Sequence, residues 1–120
     1  MDEIEAGATP NRYAAEGARG TMTAYNRIGM VASSANYGVQ VEILRNEWGF
    51  SGYSVTDFTG LNPVAAPKES ILAGTTAFCG FGANDPYINL NNLNAIAADS
   101  DLAAAIQEGM HCVLYLIYRS

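Results

Sequence analysis

Asp57 is the residue best placed to do chemistry in this chain. It follows Tyr53-Ser54-Val55-Thr56, a β-favouring run after Gly52, so its carboxylate stands at the C-terminal tip of a predicted strand. A carboxylate fixed there can attack an electrophilic carbon; it can also cap the following turn, the commoner use of such an Asp. Tyr25 ends an earlier strand-like run, Thr21-Met22-Thr23-Ala24-Tyr25. If the two strands are neighbours, phenol and carboxylate share one end of the sheet, and a hydrogen bond from the phenol favours the ionised carboxylate. Phe58 adds an aromatic ring beside Asp57. Other chemistry is poorly supplied. His111 is the single histidine and falls beside the apolar positions of the last predicted helix, so it reads as a surface or boundary residue. No Ser-His-Asp or Cys-His set can be built around it. Cys79 and Cys112 lie far apart with no CxxC spacing, which predicts reduced thiols and no zinc site.

The elements that would carry these residues alternate in type. After a loosely ordered lead-in over 1–20, the strand at 21–25 gives way to a loop over 26–34 with Gly29 and paired serines. Residues 36–48 predict a helix: Tyr37, Val41, Leu44 and Trp48 fall on one stripe, Ser34 or Asn36 can cap it, and Gly49 stands where a helix stops. The strand ending at Asp57 follows. Pro63 and Pro67 punctuate the next loop, 68–73 can form a short helix, and 75–78 a third strand. Residues 79–94, rich in Gly and Asn, read as a surface excursion. A final helix over 102–118, capped by Asp99 or Ser100, has Leu102, Ile106, Met110, Val113, Leu114 and Ile117 as its apolar stripe. Strands separated by helices imply parallel pairing with right-handed crossovers. The expected fold class is α/β: three βα units, part of a (β/α)8 TIM-type barrel, since a whole barrel takes about 250 residues. A short open parallel sheet is the alternative, and either form leaves strand edges that invite self-association.

Composition narrows the function classes. The chain has 120 residues, 49% of them hydrophobic, which is globular composition. Six basic residues against twelve acidic ones give a net charge of −6. An acidic chain without a Lys/Arg cluster repels phosphate backbones and anionic lipid, so neither nucleic acid nor a membrane is an expected partner. No apolar run approaches a membrane span. The acidic start, Met1-Asp2-Glu3-Ile4-Glu5, has no apolar signal-peptide core, from which a cytoplasmic setting is expected.

Two longer stretches carry a specific resemblance. Gly20-Thr21-Met22-Thr23-Ala24-Tyr25-Asn26-Arg27-Ile28-Gly29 and Ile43-Leu44-Arg45-Asn46-Glu47-Trp48-Gly49-Phe50-Ser51-Gly52-Tyr53-Ser54-Val55-Thr56-Asp57-Phe58 together resemble the signature region of β-glucosidases in glycoside hydrolase family 3. In that family a strand carrying M-T-A-Y-N precedes a helix ending L-R-x-E-W-G-F-x-G, and the next strand ends in the nucleophilic Asp. The order and the spacing from Tyr25 to Asp57 agree. The likeness runs from about Gly20 to Ala77 and resumes weakly in Val113–Tyr118.

The resemblance implies a retaining glycosidase, with Asp57 as nucleophile, Tyr25 touching the sugar and the nucleophile, and Phe58, where the family often has Trp, walling the sugar site. It implies a β-glucoside or related oligosaccharide as substrate and no cofactor or metal. Arg45, Glu47 and Trp48 read as structural parts of the motif. Ala73-Gly74-Thr75-Thr76 resembles an A-G-x-D segment with Thr76 in place of the acid. The family's sugar-binding Lys-His pair, Arg and Asp come from earlier strands, and its acid/base from a sandwich-like domain. None is in this chain, so the remainder of the barrel and that domain are expected partners, and the chain alone is expected to be inactive. The rival expectation is a non-catalytic α/β module, a decayed remnant with a structural or binding role.

Overall fold

The computed structural model describes residues 16–59, 66–80 and 97–120. Three strands form the central sheet: β1 (Gly20–Met22), β4 (Tyr53–Phe58) and β5 (Ala77–Cys79). They run parallel in the order β1-β4-β5. A two-stranded antiparallel ribbon, β2 (Arg27–Ile28) and β3 (Val31–Ala32), follows β1. The helices are α1 (Gly38–Glu47), α2 (Pro67–Leu72) and α3 (Ser100–Arg119), and a 3₁₀ turn spans Ser33–Ala35. The α/β class and parallel sheet expected from the sequence are therefore present.

Several elements depart in detail. β1 ends at Met22, and only the Thr23 amide carries its pairing further, donating to the Val55 carbonyl at 2.8 Å. Tyr25 thus lies beyond the strand. The expected loop holds the β2–β3 ribbon, whose tight turn uses Gly29 at φ +63°. A two-residue strand is too short for alternation to announce it.

Helix α1 forms where the stripe predicted a helix, but it is wound as a π-type helix, with bonds such as Trp48 N–H to the Ile43 carbonyl at 3.0 Å. Its wider turn changes which residues share a face. Gln40 is the buried residue, whereas Tyr37 is half exposed. Gly49 ends the helix at φ +67°, a left-handed conformation that glycine takes without a Cβ penalty.

α3 begins at an N-cap in which the Asp99 carboxylate accepts from the Leu102 amide at 3.1 Å. Its orientation differs from the predicted stripe. Leu102 and Cys112 are buried, whereas Met110, Leu114 and Ile117 are exposed. Periodicity identifies an apolar arc; only tertiary packing decides which part of a broad arc turns inward. No helix among the described residues is long and apolar enough to cross a membrane.

The core lies between the sheet and the helices and is small and polar. Phe50, Ile71, Ala73, Leu102 and Cys112 supply its apolar part. Ser34, Gln40, Ser54 and Ser70 are buried with them and bond to one another: Ser54 Oγ donates to Gln40 Oε1 at 2.8 Å, and Ser70 Oγ to Ser34 Oγ at 3.2 Å. Thr75 Oγ1 donates to the Ser34 carbonyl at 2.7 Å. These buried hydroxyls and the Gln40 amide are tolerated because each finds a partner; the buried Thr23 hydroxyl is the exception among the described residues.

Arg45 joins the layers. Its guanidinium donates to the carbonyls of Gly52 (3.0 Å) and Gly74 (3.2 Å) and reaches Cys112 Sγ at 3.4 Å. It thereby ties α1 to the start of β4, the turn before β5, and α3. The structural reading of this motif residue agrees with those contacts. Lys68 Nζ meets Asp99 Oδ2 at 2.5 Å, which links α2 to the cap of α3.

Candidate active site

Side chains alternate along β4. Ser54 and Thr56 are fully buried, whereas Tyr53, Val55 and Asp57 are half-buried on the opposite side. The bond from Ser54 to Gln40 identifies the buried side as the one α1 covers. Asp57 lies within β4, as its penultimate residue, and Phe58 closes the strand. Both stand at the C-terminal end of the parallel sheet, the end at which barrel enzymes build their sites.

Tyr25 reaches the same end from the loop after β1. Its phenol donates to the Phe58 carbonyl at 2.9 Å. Its pKa is raised above the ordinary 10.0, first by partial burial, then by the charge of the Asp57 carboxylate and a hydrogen bond to it, with a smaller contribution from Cys79. Held at the Phe58 carbonyl, the Tyr25 phenol is thus within electrostatic reach of the Asp57 carboxylate. Asp57 Oδ1 accepts from the Phe58 amide at 2.8 Å, which fixes one carboxylate oxygen. Phe58 is 39% exposed at the strand tips.

Cys79, expected as a reduced thiol at the start of the surface excursion, instead ends a strand and completes this corner. It ends β5 opposite Phe58, close enough to Tyr25 to act on the titration of the phenol. Its amide donates to Thr56 Oγ1 at 3.1 Å, and its carbonyl accepts from the Thr59 amide at 2.8 Å. The third strand, expected over 75–78, runs over Ala77–Cys79, one residue further, which brings Cys79 to the same sheet end as Asp57.

Thr76 stands before β5 and is engaged in the sheet. Its hydroxyl accepts from the Ser54 amide at 2.8 Å and donates to the Ser54 carbonyl at 3.0 Å. A threonine here acts as a side-chain rung between neighbouring strands. His111 is on the outer surface of α3, 3.7 Å from the Glu108 carboxylate and away from the strand tips. A cleft of about 350 Å³ opens between α1 and α3 over the short α2, and none of Tyr25, Asp57 and Phe58 lines it. Among the described residues no cluster of His, Cys, Asp and Glu is suited to a metal ion.

The arrangement is a segment of parallel α/β barrel with a carboxylate and a phenol at its strand tips. No family model matches the chain. Curated relatives do: it is 36% identical over 77 residues to the probable β-glucosidase J of Aspergillus fumigatus, 59% of this chain and 9% of that protein. The counterpart from Neosartorya fischeri is 35% identical over the same length. The chain therefore spans about a tenth of these relatives. Among solved structures, the β-glucosidase of Listeria innocua superposes with a TM-score of 0.72 at 24% identity, covering 97% of this chain and 17% of that one. The exo-1,3/1,4-β-glucanase of a Pseudoalteromonas species gives 0.71 at 18%, covering 86% and 13%. At these identities the superpositions speak for the fold. The likeness to β-glucosidases expected from the two motifs is thus met in curated relatives of that name, and the partial barrel in the fold of solved enzymes.

Proposed function

We propose that the chain is the nucleophile-bearing part of a retaining β-glycosidase that acts on β-glucosides or related oligosaccharides. The observation that carries the reading is the meeting of Tyr25 and Asp57 at the C-terminal end of β1 and β4. An Asp57 carboxylate oxygen attacks the anomeric carbon, the bond to the leaving oxygen breaks, and a glycosyl ester forms. The leaving oxygen needs a proton from a second carboxyl group about 5–5.5 Å from the first, and water deprotonated by that same group later cleaves the ester. The Tyr25 phenol, bonded to the Phe58 carbonyl, stands beside the carboxylate at the sugar site, and the Phe58 ring forms a wall of that site.

The second carboxyl and the remaining sugar contacts come from polypeptide outside this chain: the rest of a barrel and an acid/base-bearing domain. Exposed apolar side chains on α3 (Met110, Leu114, Ile117) and β1 (Met22) are surface of the kind such an assembly covers. Left alone, the chain self-associates through this surface and its strand edges, and light scattering reads the resulting mass. Positioning and proton transfer each contribute heavily to turnover, so the 120 residues alone hydrolyse no glycoside at a useful rate. The test is complementation. A β-glucosidase from which the matching stretch has been deleted regains hydrolysis of an aryl β-glucoside when this chain is supplied, and does not regain it with Asp57→Ala. Restoration by both forms, or turnover by the isolated chain that survives Asp57→Ala, contradicts the proposal.

A further inference from the structure

The pairing of β4 with β5 changes register at the candidate nucleophile. Val55 lies opposite Ala77, but Phe58 lies opposite Cys79, so three steps along β4 match two along β5. The additional residue falls at Thr56–Asp57. Bulges are rare in parallel pairs, and where they occur they re-aim a side chain or end the pairing. The Thr56 side chain occupies this irregularity. It is fully buried, and its hydroxyl accepts the Cys79 amide at 3.1 Å, so a side chain takes a donor that backbone carbonyls otherwise satisfy in a ladder. Just beyond it, Thr59 N–H returns to the Cys79 carbonyl at 2.8 Å, which closes the widened segment on its far side.

Resting on the reading of Asp57 as nucleophile, we infer that Thr56 is a positioning residue: its hydroxyl, by holding the Cys79 amide, maintains the β4 bulge and sets the direction in which the Asp57 carboxylate leaves the sheet toward Tyr25. Regular pairing would bring β4 and β5 back into step and turn residue 57 relative to the Tyr25 phenol. Thr56 touches neither phenol nor substrate; it acts through Asp57 and the β5 tip.

The Tyr25 phenol reports the aim of Asp57. The charged or chargeable groups acting on it are Asp57 from β4 and Cys79 from β5. The experiment labels tyrosine rings with ¹³C, assigns Tyr25 by Tyr25→Phe, and follows its titration in the whole chain. Asp57→Asn lowers the Tyr25 pKa. Thr56→Val, which keeps the shape and deletes the acceptor, reproduces most of that fall, whereas Thr56→Ser leaves the titration where it was. A merely structural Thr56 lowers the melting temperature of Thr56→Val without moving Tyr25. If Asp57→Asn lowers the Tyr25 pKa but Thr56→Val does not, the inference is overturned while the pairing of Tyr25 and Asp57 stands. If neither moves it, that pairing fails and takes the inference with it. Hydrogen exchange in the unsubstituted chain keeps the test open should Thr56→Val not fold: the Cys79 amide is protected, and exchange there at the rate of a free amide refutes the role given to Thr56.

Discussion

The two sides of the central sheet differ in how they satisfy their residues. On the side under α1, Ser54 and Thr56 are fully buried and bonded, Gln40 and Ser34 extend the network, and Arg45 ties the layers together. On the other side, Tyr53, Val55 and Asp57 are half-buried and Met22 is 61% exposed. The first side is bonded within the chain except at Thr23, whose buried hydroxyl has no partner among the described residues. The second holds a carboxylate, a phenol and a thiol at its upper end and apolar surface below. Buried bonds are thus concentrated on one side, and the carboxylate and phenol stand on the other.

The comparison can be broken most severely at the β1–β4 edge. A Cβ on Gly52 would collide with the Arg19 carbonyl, which accepts the Tyr53 amide at 3.0 Å. Gly52→Ala is expected to cost about 3 kcal/mol, because the obstruction is backbone and cannot turn aside. Chemical denaturation measures it. A fall below about 1 kcal/mol shows that this edge is looser than described.

Ser54→Ala tests the buried network. It leaves Gln40 Oε1, in a residue 3% exposed, without the Ser54 hydroxyl, and is expected to cost about 1–3 kcal/mol. A neutral outcome means that the polar contacts of the covered side carry little.

The link between α2 and α3 predicts a smaller, pH-dependent effect. The Lys68 ammonium, and then the Leu102 amide, hold the Asp99 carboxyl below its ordinary 3.8. A lowered carboxylate stabilises the fold above that ordinary value, and the contribution disappears as pH falls through the folded value. Lys68 is raised above 10.5 by the same partner, so its share is present below 10.5 and is lost as pH rises through its folded value. Asp99→Asn keeps a capping oxygen and removes the charge. It should flatten the acid limb of a Tm-versus-pH curve, and an unchanged limb contradicts the link.

The least effect belongs to the open side. Met22→Gln is expected to change stability by no more than about 0.5 kcal/mol, since the side chain is already in solvent. A loss comparable with that of Ser54→Ala erases the contrast between the two sides.

Much of this was legible in the sequence because it rests on local rules. The strand before Asp57, the stop at Gly49 and the Asp99 cap follow from propensity and capping chemistry, and the structure contains all three. The meeting of Tyr25 with Asp57 was expected from adjacent parallel strands. The β4 bulge was not legible: it is a difference in step between two strands and leaves no mark in either alone. The π winding of α1 escaped for a related reason, since the positions of an ordinary helical stripe remain apolar when the turn widens. The inward face of α3 was misjudged because its apolar residues occupy a broad arc, of which packing buries the part at Leu102 and Cys112.

The account stands on Asp57 as the atom donor to the sugar. The direct measurement uses the complemented enzyme and a 2-deoxy-2-fluoro β-glucoside with an activated leaving group, which forms the glycosyl ester without help from an acid and hydrolyses slowly. Mass spectrometry of the digest is predicted to find the fluoroglucosyl adduct on the peptide carrying Asp57. An adduct on another carboxylate, with Asp57 unmodified and the enzyme inactivated, would contradict the assignment.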